Sequence, residues 1–162
     1  MKRILVPVDF SPVTESAIQT AETMAKALAS KISLLHVIVP DVVVMTEYGM
    51  YTHPDHERPW CHKQLEILAN QLRGRGCEVD TVIEQGRAAA TILKEIDERQ
   101  IDLAVMGSHG HGALYDLIVG SVSEGVLRKA TCPVMIVPSR KHAQASPPDR
   151  LHPEESRSSI SN

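Results

Sequence analysis

Residues 102–121 read DLAVMGSHGHGALYDLIVGS. This stretch opens with a short apolar run, passes through a glycine-rich segment from Gly107 to Gly120, and then enters a helical pattern that continues through Val122 and Val126. An apolar strand, a polar loop and an amphipathic helix in this order form one βα unit. If the same unit recurs along the chain, an α/β fold is predicted.

The βα unit does recur, because apolar runs and helical patterns alternate from residue 3 to residue 137. Strict alternation of this kind is typical of a parallel sheet that is covered by helices on both faces. The fold class predicted is α/β, with a single-domain, doubly wound, five-stranded parallel sheet. The predicted strands are 3–9, 32–39, 78–84, 102–106 and 133–137, and the predicted helices are about 13–29, 65–72, 89–96 and 122–130.

Local signals refine this pattern. Residues 41–59 have no period and contain one glycine and two prolines, which indicates a long loop. Ser11 followed by Pro12 is typical of a helix start with serine as the N-cap. Ser121 and Glu124 have the spacing of a capping box, so Ser121 is predicted to cap the fourth helix. Residues 78–84 alternate only in part, as an edge strand would.

Length and composition set limits on the class of protein. The 162 residues are 43% hydrophobic, which is enough for one full-sized core, and the net charge of −3 argues against a sequence-independent nucleic-acid binder. We expect one domain at 1–138 and a disordered tail at 139–162, where large apolar side chains are almost absent.

The chain is predicted to be cytoplasmic and free of structural disulfides. No apolar run reaches the roughly 18 residues of a membrane helix, and the basic N-terminal segment stays apolar only as far as Asp9, too short for a signal peptide. The three cysteines are odd in number and include no CxxC pair, which argues against a disulfide framework or a thiolate zinc site.

The predicted topology indicates where a ligand would bind. In open α/β sheets ligands bind beyond the carboxyl ends of the strands, at the point where strand order reverses. The glycine-rich segment lies at such an end, and glycines let backbone N–H groups approach a phosphate closely. Neither the P-loop pattern nor the GxGxxG fingerprint is present.

The spacing Gly107-x2-Gly110-x9-Gly120-Ser121 resembles the G-2x-G-9x-G-[ST] pattern of ATP-binding universal stress proteins. Four further segments resemble this family in the expected order: 4–11, 34–37, 102–110 and 132–137. The resemblance covers about residues 1–138 and implies strand order 3-2-1-4-5. It also implies an ATP-binding, stress-response regulatory module and a homodimer formed through the last strand. Mg²⁺ is expected to accompany the triphosphate, since the phosphate charge needs neutralising.

The resemblance also implies roles for residues at three loops. The adenosine end would be lined after the first strand, the main chain of Val37 would read the adenine edge, and the glycine-rich segment with the following helix would hold ribose and phosphates. His111 departs from the family's pattern and would donate to phosphate more weakly than lysine. The implied ligand contacts are Pro7, Val8, Asp9, Val37, Met106, Gly107, His109, Gly110, His111, Gly120, Ser121, Val122 and Ser123.

Several alternatives stay open. Asp9 either contacts the ligand or only satisfies the nearby turn. The chain is either a regulatory binding module or a slow ATPase or nucleotidyl-transferring enzyme, and no catalytic residue can be named. A module without nucleotide is a third hypothesis. A phospho-receiver with Asp9 as acceptor is disfavoured, because the pair of acids that such domains place beside the first strand is missing.

Two histidine-containing patterns are not expected to be functional. His53, His56, Cys61 and His62 include zinc-ligand types, but their spacing matches no standard metal site, so solvated loop histidines are predicted. His36 lies within the second apolar run and is predicted to be a hydrogen-bonded core histidine.

Overall fold

The computed structural model describes residues 2–39, 44–46, 49–51, 57–108 and 120–138. Seven strands and four helices occur along these residues. In chain order they are β1 (Arg3–Pro7), α1 (Pro12–Leu28), β2 (Lys31–Ile38), β3 (Val44–Thr46), β4 (Gly49–Tyr51), α2 (Glu57–Gly74), β5 (Val79–Gln85), α3 (Ala88–Glu98), β6 (Leu103–Gly107), α4 (Ser121–Leu127) and β7 (Val134–Val137).

Five strands form one parallel sheet in the order β5-β2-β1-β6-β7. In terms of the five strands expected from sequence this is order 3-2-1-4-5, which confirms the predicted doubly wound fold. β1 is central, and Ile4 pairs with Ile32 of β2 on one side and with Leu103 of β6 on the other. β5 forms one edge of the sheet, as its partial alternation predicted.

The sheet separates two hydrophobic cores. Ile4 and Val6 of β1 face the core that includes Ala21 of α1 and Leu65 of α2. Leu5, between them, faces the second core, which includes residues of α3 and α4. Successive strand side chains point to opposite faces, so a continuous apolar strand is what a sheet covered on both faces requires.

The segment predicted as a long loop contains regular structure, which corrects the prediction for 41–59. β3 and β4 pair as a small antiparallel ribbon with Met45 opposite Met50. α2 also begins at Glu57, well before the first apolar marker at Leu65. Pro59 suggested a break in the pattern, yet a proline in the first helical turn removes no helix hydrogen bond.

Among the described residues, no helix combines the length and the apolar character needed to cross a bilayer. The predicted tail, 139–162, lies outside the described residues.

Candidate functional site

The carboxyl ends of β1, β2 and β6 meet at one edge of the sheet, beside the point where strand order reverses. The chain passes from β1 to β2 on one side and later returns to β6 on the other. This is the position at which open α/β sheets bind ligands. Among the site residues expected from sequence, His109, Gly110 and His111 lie outside the described residues. The structure gives positions to the other ten.

Asp9 forms the turn between β1 and α1. Its Oδ1 accepts hydrogen bonds from the Ser11 amide and the Thr14 hydroxyl, both at 3.0 Å. Asp9 is an exposed residue, and among the described residues no group donates to its Oδ2. The local structural role left open by the sequence is therefore present, while Oδ2 of the exposed side chain takes no part in it.

Ser11 is a candidate site residue that the sequence analysis did not identify. It occupies the N-cap position of α1, as predicted, but its side chain makes no cap hydrogen bond, while Asp9 bonds its amide. Ser11 Oγ is buried without a hydrogen-bond partner in the described part of the chain. The Asp9-x-Ser11 spacing could have predicted the bond from the Ser11 amide to Asp9, since an aspartate side chain commonly bonds the amide two residues further along.

Val37 presents its main chain just past the end of β1. The Leu35 carbonyl accepts from the Val8 amide at 2.7 Å, so the polar groups of Leu35 point toward β1, and those of Val37 point the same way. If the hydrogen-bond ladder between β1 and β2 continued by one more bond, the Val37 amide would donate to the Val8 carbonyl. That carbonyl instead accepts from His36 Nδ1 at 2.7 Å, and no described group bonds the Val37 amide.

The His36 contact also fixes its tautomer, because a carbonyl can only accept. Nδ1 carries the hydrogen, so the partly buried ring is hydrogen-bonded, as predicted.

Gly107 is the point where β6 meets two helices. A Cβ built on it would lie 2.4 Å from Val13 Cγ1, so α1 packs directly against the glycine backbone. On the other side, the Ser123 hydroxyl donates to the Gly107 carbonyl at 2.9 Å. The hydrogen of the Ser123 hydroxyl is therefore used within the fold, and a ligand contact at Ser123 would be made by its main chain. Met106, the preceding residue, is buried in the second core.

The described part of the chain stops at Ser108 and resumes at Gly120, and these two residues are hydrogen-bonded to each other. The Gly120 amide donates to the Ser108 carbonyl at 2.7 Å, and the Ser108 amide donates to the Val137 carbonyl of β7 at 2.8 Å. Residues 109–119 therefore connect two points that are held together at the end of β6.

The start of α4 also corrects a prediction. Gly120, not Ser121, is the N-cap, and no side chain caps the helix. Glycine and serine are both accepted at this position, so the adjacent pair made the sequence signal ambiguous by one residue. The first helical bond runs from the Glu124 amide to the Gly120 carbonyl at 2.8 Å. In the described part of the chain, no group accepts from the amides of Ser121, Val122 and Ser123, which belong to the first turn of the helix, where N–H groups have no partner within the helix.

The carboxylates with clearly shifted pKa values lie away from the carboxyl ends of β1, β2 and β6 and stabilise other parts of the fold. The pKa of Asp102 is lowered because the Lys2 and Arg3 amides donate to its Oδ2 at 2.7 and 2.9 Å, where β6 begins. The pKa of Glu66 is lowered by the Thr81 hydroxyl at 2.6 Å and then by Arg73 at 3.0 Å.

No cluster of three or more His, Cys, Asp or Glu side chains suited to a metal occurs in the ranges that the structure describes. Of the zinc-type pattern, Cys61 is buried and His62 is exposed, while His53 and His56 lie outside the described residues. Burial raises the pKa of the Cys77 and Cys132 thiols, so both are held in the unreactive protonated form at neutral pH.

Comparison with known proteins agrees with this architecture. The model of the universal stress protein family matches residues 1–138. Universal stress protein YxiE of Bacillus subtilis is 33% identical over 144 residues, which cover 83% of this chain and 97% of YxiE. Universal stress protein MJ0577 of Methanocaldococcus jannaschii is 28% identical over 152 residues, 84% of this chain and 94% of its own.

Solved structures share the fold. The MJ0577 structure superposes with a TM-score of 0.69 at 26% identity, covering 85% of this chain and 95% of that one. A universal stress protein crystallised in complex with cAMP has a TM-score of 0.65 at 20% identity, covering 85% and 97% of the two chains. At that identity the second structure supports the fold alone.

Proposed function

Because the chain belongs to the universal stress protein family, we propose that it is a regulatory nucleotide-binding module whose ligand is ATP. The observation that carries this proposal is a set of backbone donors at the carboxyl edge that no described group bonds. The amides of Ser121, Val122 and Ser123 begin α4 beside the end of β6, and the Val37 amide lies past the end of β1.

These donors are suited to the two ends of one nucleotide. Amides at the first turn of a helix favour anions, which suits a polyphosphate. An N–H on the exposed end of a strand can bond a ring nitrogen of a base. β1 lies between the two groups, and Pro7, Val8 and Asp9 at its carboxyl end would line the adenosine end of the ligand. The proposed phosphate contacts also include His109, Gly110 and His111, which lie outside the described residues.

Mg²⁺ would be held mainly by the phosphates in this proposal. Asp9 Oδ2 is the one described carboxylate oxygen of the β1 turn without a donor, and Mg²⁺ prefers oxygen ligands. The ion would neutralise phosphate charge, while the chain's own residues bind and orient the nucleotide.

We also propose that the chain forms a homodimer through β7. This strand is the edge of the sheet beyond β6, and its residues Val134, Met135 and Ile136 are only half-buried in the single chain. An exposed apolar edge strand can pair with a second copy of itself. Occupancy of the neighbouring site would then bias which partners the dimer recognises.

Isothermal titration calorimetry of the purified chain with ATP and Mg²⁺ tests the binding proposal. We expect saturable heat and a rise in melting temperature, because a ligand that binds only the folded state stabilises it. No heat and no thermal shift at millimolar ATP would refute the proposal. Multiple-turnover phosphate release at an ordinary enzyme rate would instead favour the ATPase alternative.

A further inference from the structure

Three aromatic side chains lie in contact at the carboxyl end of β1 and β2. The ring centroids of Trp60 and Phe10 are 5.2 Å apart in an edge-to-face arrangement. The Phe10 and His36 centroids are 4.7 Å apart, and His36 Nδ1 donates to the Val8 carbonyl. The first turn of α2 is thereby connected, through two ring contacts and one hydrogen bond, to the backbone of the candidate site.

The aromatic group lies at one particular end of that site. β2 and β6 flank β1 on opposite sides, so the Val37 amide and the α4 amides are separated by β1. His36 Nδ1 donates to the Val8 carbonyl, which is the group that the Val37 amide would reach if the β1–β2 ladder continued. Phe10 packs against the first core, so the rings lie on the face of the sheet that α1 and α2 cover, beside the β2 end of the proposed site.

Trp60 is more exposed than its size would suggest. It remains 53% accessible although it packs on Phe10, and it is the largest exposed apolar side chain of α2. Phe10 is held with φ at +59°, a left-handed conformation that costs a residue with a Cβ about 1–2 kcal/mol. The fold thus keeps a ring in a costly backbone position, with an exposed indole against it.

We propose that Trp60 is a base-contacting residue that stacks on the adenine ring, with Phe10 as its positioning residue. This inference rests on the proposed function and adds a side-chain contact to the main-chain contact at Val37. An aromatic face accepts any nucleobase, so the contact increases affinity for ligands that carry a base without selecting among bases.

The chain contains a single tryptophan, so its intrinsic tryptophan fluorescence reports Trp60 alone. The experiment titrates the full chain with ATP, adenosine and inorganic tripolyphosphate, and follows fluorescence and calorimetric heat in parallel. ATP and adenosine should quench or shift the emission. Tripolyphosphate should bind the α4 amides with heat but without a change in emission.

Variants separate this contact from the rest of the site. Trp60→Ala should weaken ATP binding by roughly tenfold or more, since base–aromatic stacking strengthens binding by about that factor per base. It should leave tripolyphosphate binding unchanged, and Trp60→Phe should retain most of the ATP affinity. Ile67→Ala is the matched control, because Ile67 is an exposed apolar residue two turns further along α2, 42% accessible.

The outcomes distinguish the two proposals. A wild-type chain that binds no ATP overturns both. If Trp60→Ala binds ATP as tightly as the wild type, or if the wild-type emission responds to tripolyphosphate as strongly as to ATP, the stacking contact is overturned and the nucleotide site stays intact. Folding of each variant is checked by its melting temperature without ligand.

Discussion

Ala29 ends α1 in the left-handed conformation, with φ at 47° and ψ at 48°. Glycine adopts this conformation without the clash that a Cβ creates. Ala29→Gly should therefore stabilise the fold by about 0.5–1 kcal/mol after the greater flexibility of glycine in the unfolded chain is subtracted. Urea unfolding measures the difference.

Ala27→Gly supplies the control, because it makes the same chemical change inside the last turn of the same helix. There glycine should destabilise, by up to about 1 kcal/mol. Two changes of the same sign would show that backbone conformation at Ala29 does not decide the effect.

Gly107→Ala should destabilise the protein by about 1–3 kcal/mol, because the added methyl group would overlap Val13, whose three side-chain carbons lie 2.4–3.2 Å from the new Cβ. Gly74→Ala should be close to neutral, since no atom lies within 4 Å of the position that its methyl group would occupy. Thermal or urea unfolding of both variants checks the contrast.

The double variant Gly107→Ala with Val13→Ala tests the cause. If the overlap is responsible, removing the Val13 methyl groups should recover part of the loss, which gives a favourable coupling energy. Strictly additive losses would mean that Gly107 matters for another reason.

At the scale of single residues, the sequence predicts which side chains can cap a helix or bind a ligand, but it does not predict which groups they bond. Ser11 was predicted as a cap, Ser123 as a ligand contact, and Ser121 as either. Which groups they bond depends on Asp9, Gly120 and the Gly107 carbonyl, and those partners are set by distances that a one-dimensional pattern does not contain.

At the scale of elements, the start of α4 permits a test of the amide donors. Ser121→Pro removes the N–H of the first helical residue, a position that proline favours. The preceding Gly120 has φ at −59° and ψ at 153°, which is compatible with a following proline. We expect unchanged folding but weaker ATP binding, by about 1 kcal/mol or more, in calorimetry.

Ser121→Ala is the comparison, because it keeps the amide and removes only the hydroxyl. If the proposed phosphate contact is made by the main chain, the alanine variant should lose much less affinity than the proline variant. Equal losses would assign the contact to the hydroxyl, and no loss in either would move the phosphates elsewhere.

The elements that the sequence predicted best were the buried strands. Their continuous apolar runs follow from burial on both faces, as Ile4, Leu5 and Val6 demonstrate by serving two different cores. The ribbon of β3 and β4 was missed because three-residue strands are too short to show a period. The early start of α2 was missed because its first turn carries Pro59 and an exposed Trp60 instead of an apolar stripe.

For the whole molecule, lowered carboxylate pKa values predict acid sensitivity. Glu22, beside Lys26 and Arg75, has a lowered pKa, as do Glu66 and Asp102. A depressed pKa gives stability that is present above the unfolded value, about 4, and that is lost as the pH falls through the folded value. The free energy of unfolding in urea should therefore decrease below about pH 4.5.

Glu66→Gln isolates one contribution. Its side chain is 44% accessible, so the loss at pH 7 should stay below about 1 kcal/mol. The gap between variant and wild type should narrow toward about pH 3, where protonation of the carboxylate removes the difference in charge. A gap independent of pH would mean that charge is not involved.

Assembly is tested by size-exclusion chromatography with light scattering. The proposed β7 pairing predicts a mass twice the 17.8 kDa of the chain at micromolar concentration. A mass of one chain under those conditions would refute the dimer.

The hydrogen bond between Gly120 and Ser108 bears on how such a protein can diversify. Because the two ends of the intervening stretch are bonded to each other and to the last strand, we expect an insertion between them to cost mainly the entropy of closing a longer loop. That cost grows only slowly with added residues. Variants with a lengthened stretch should therefore differ from the parent more in ligand affinity than in the free energy of unfolding.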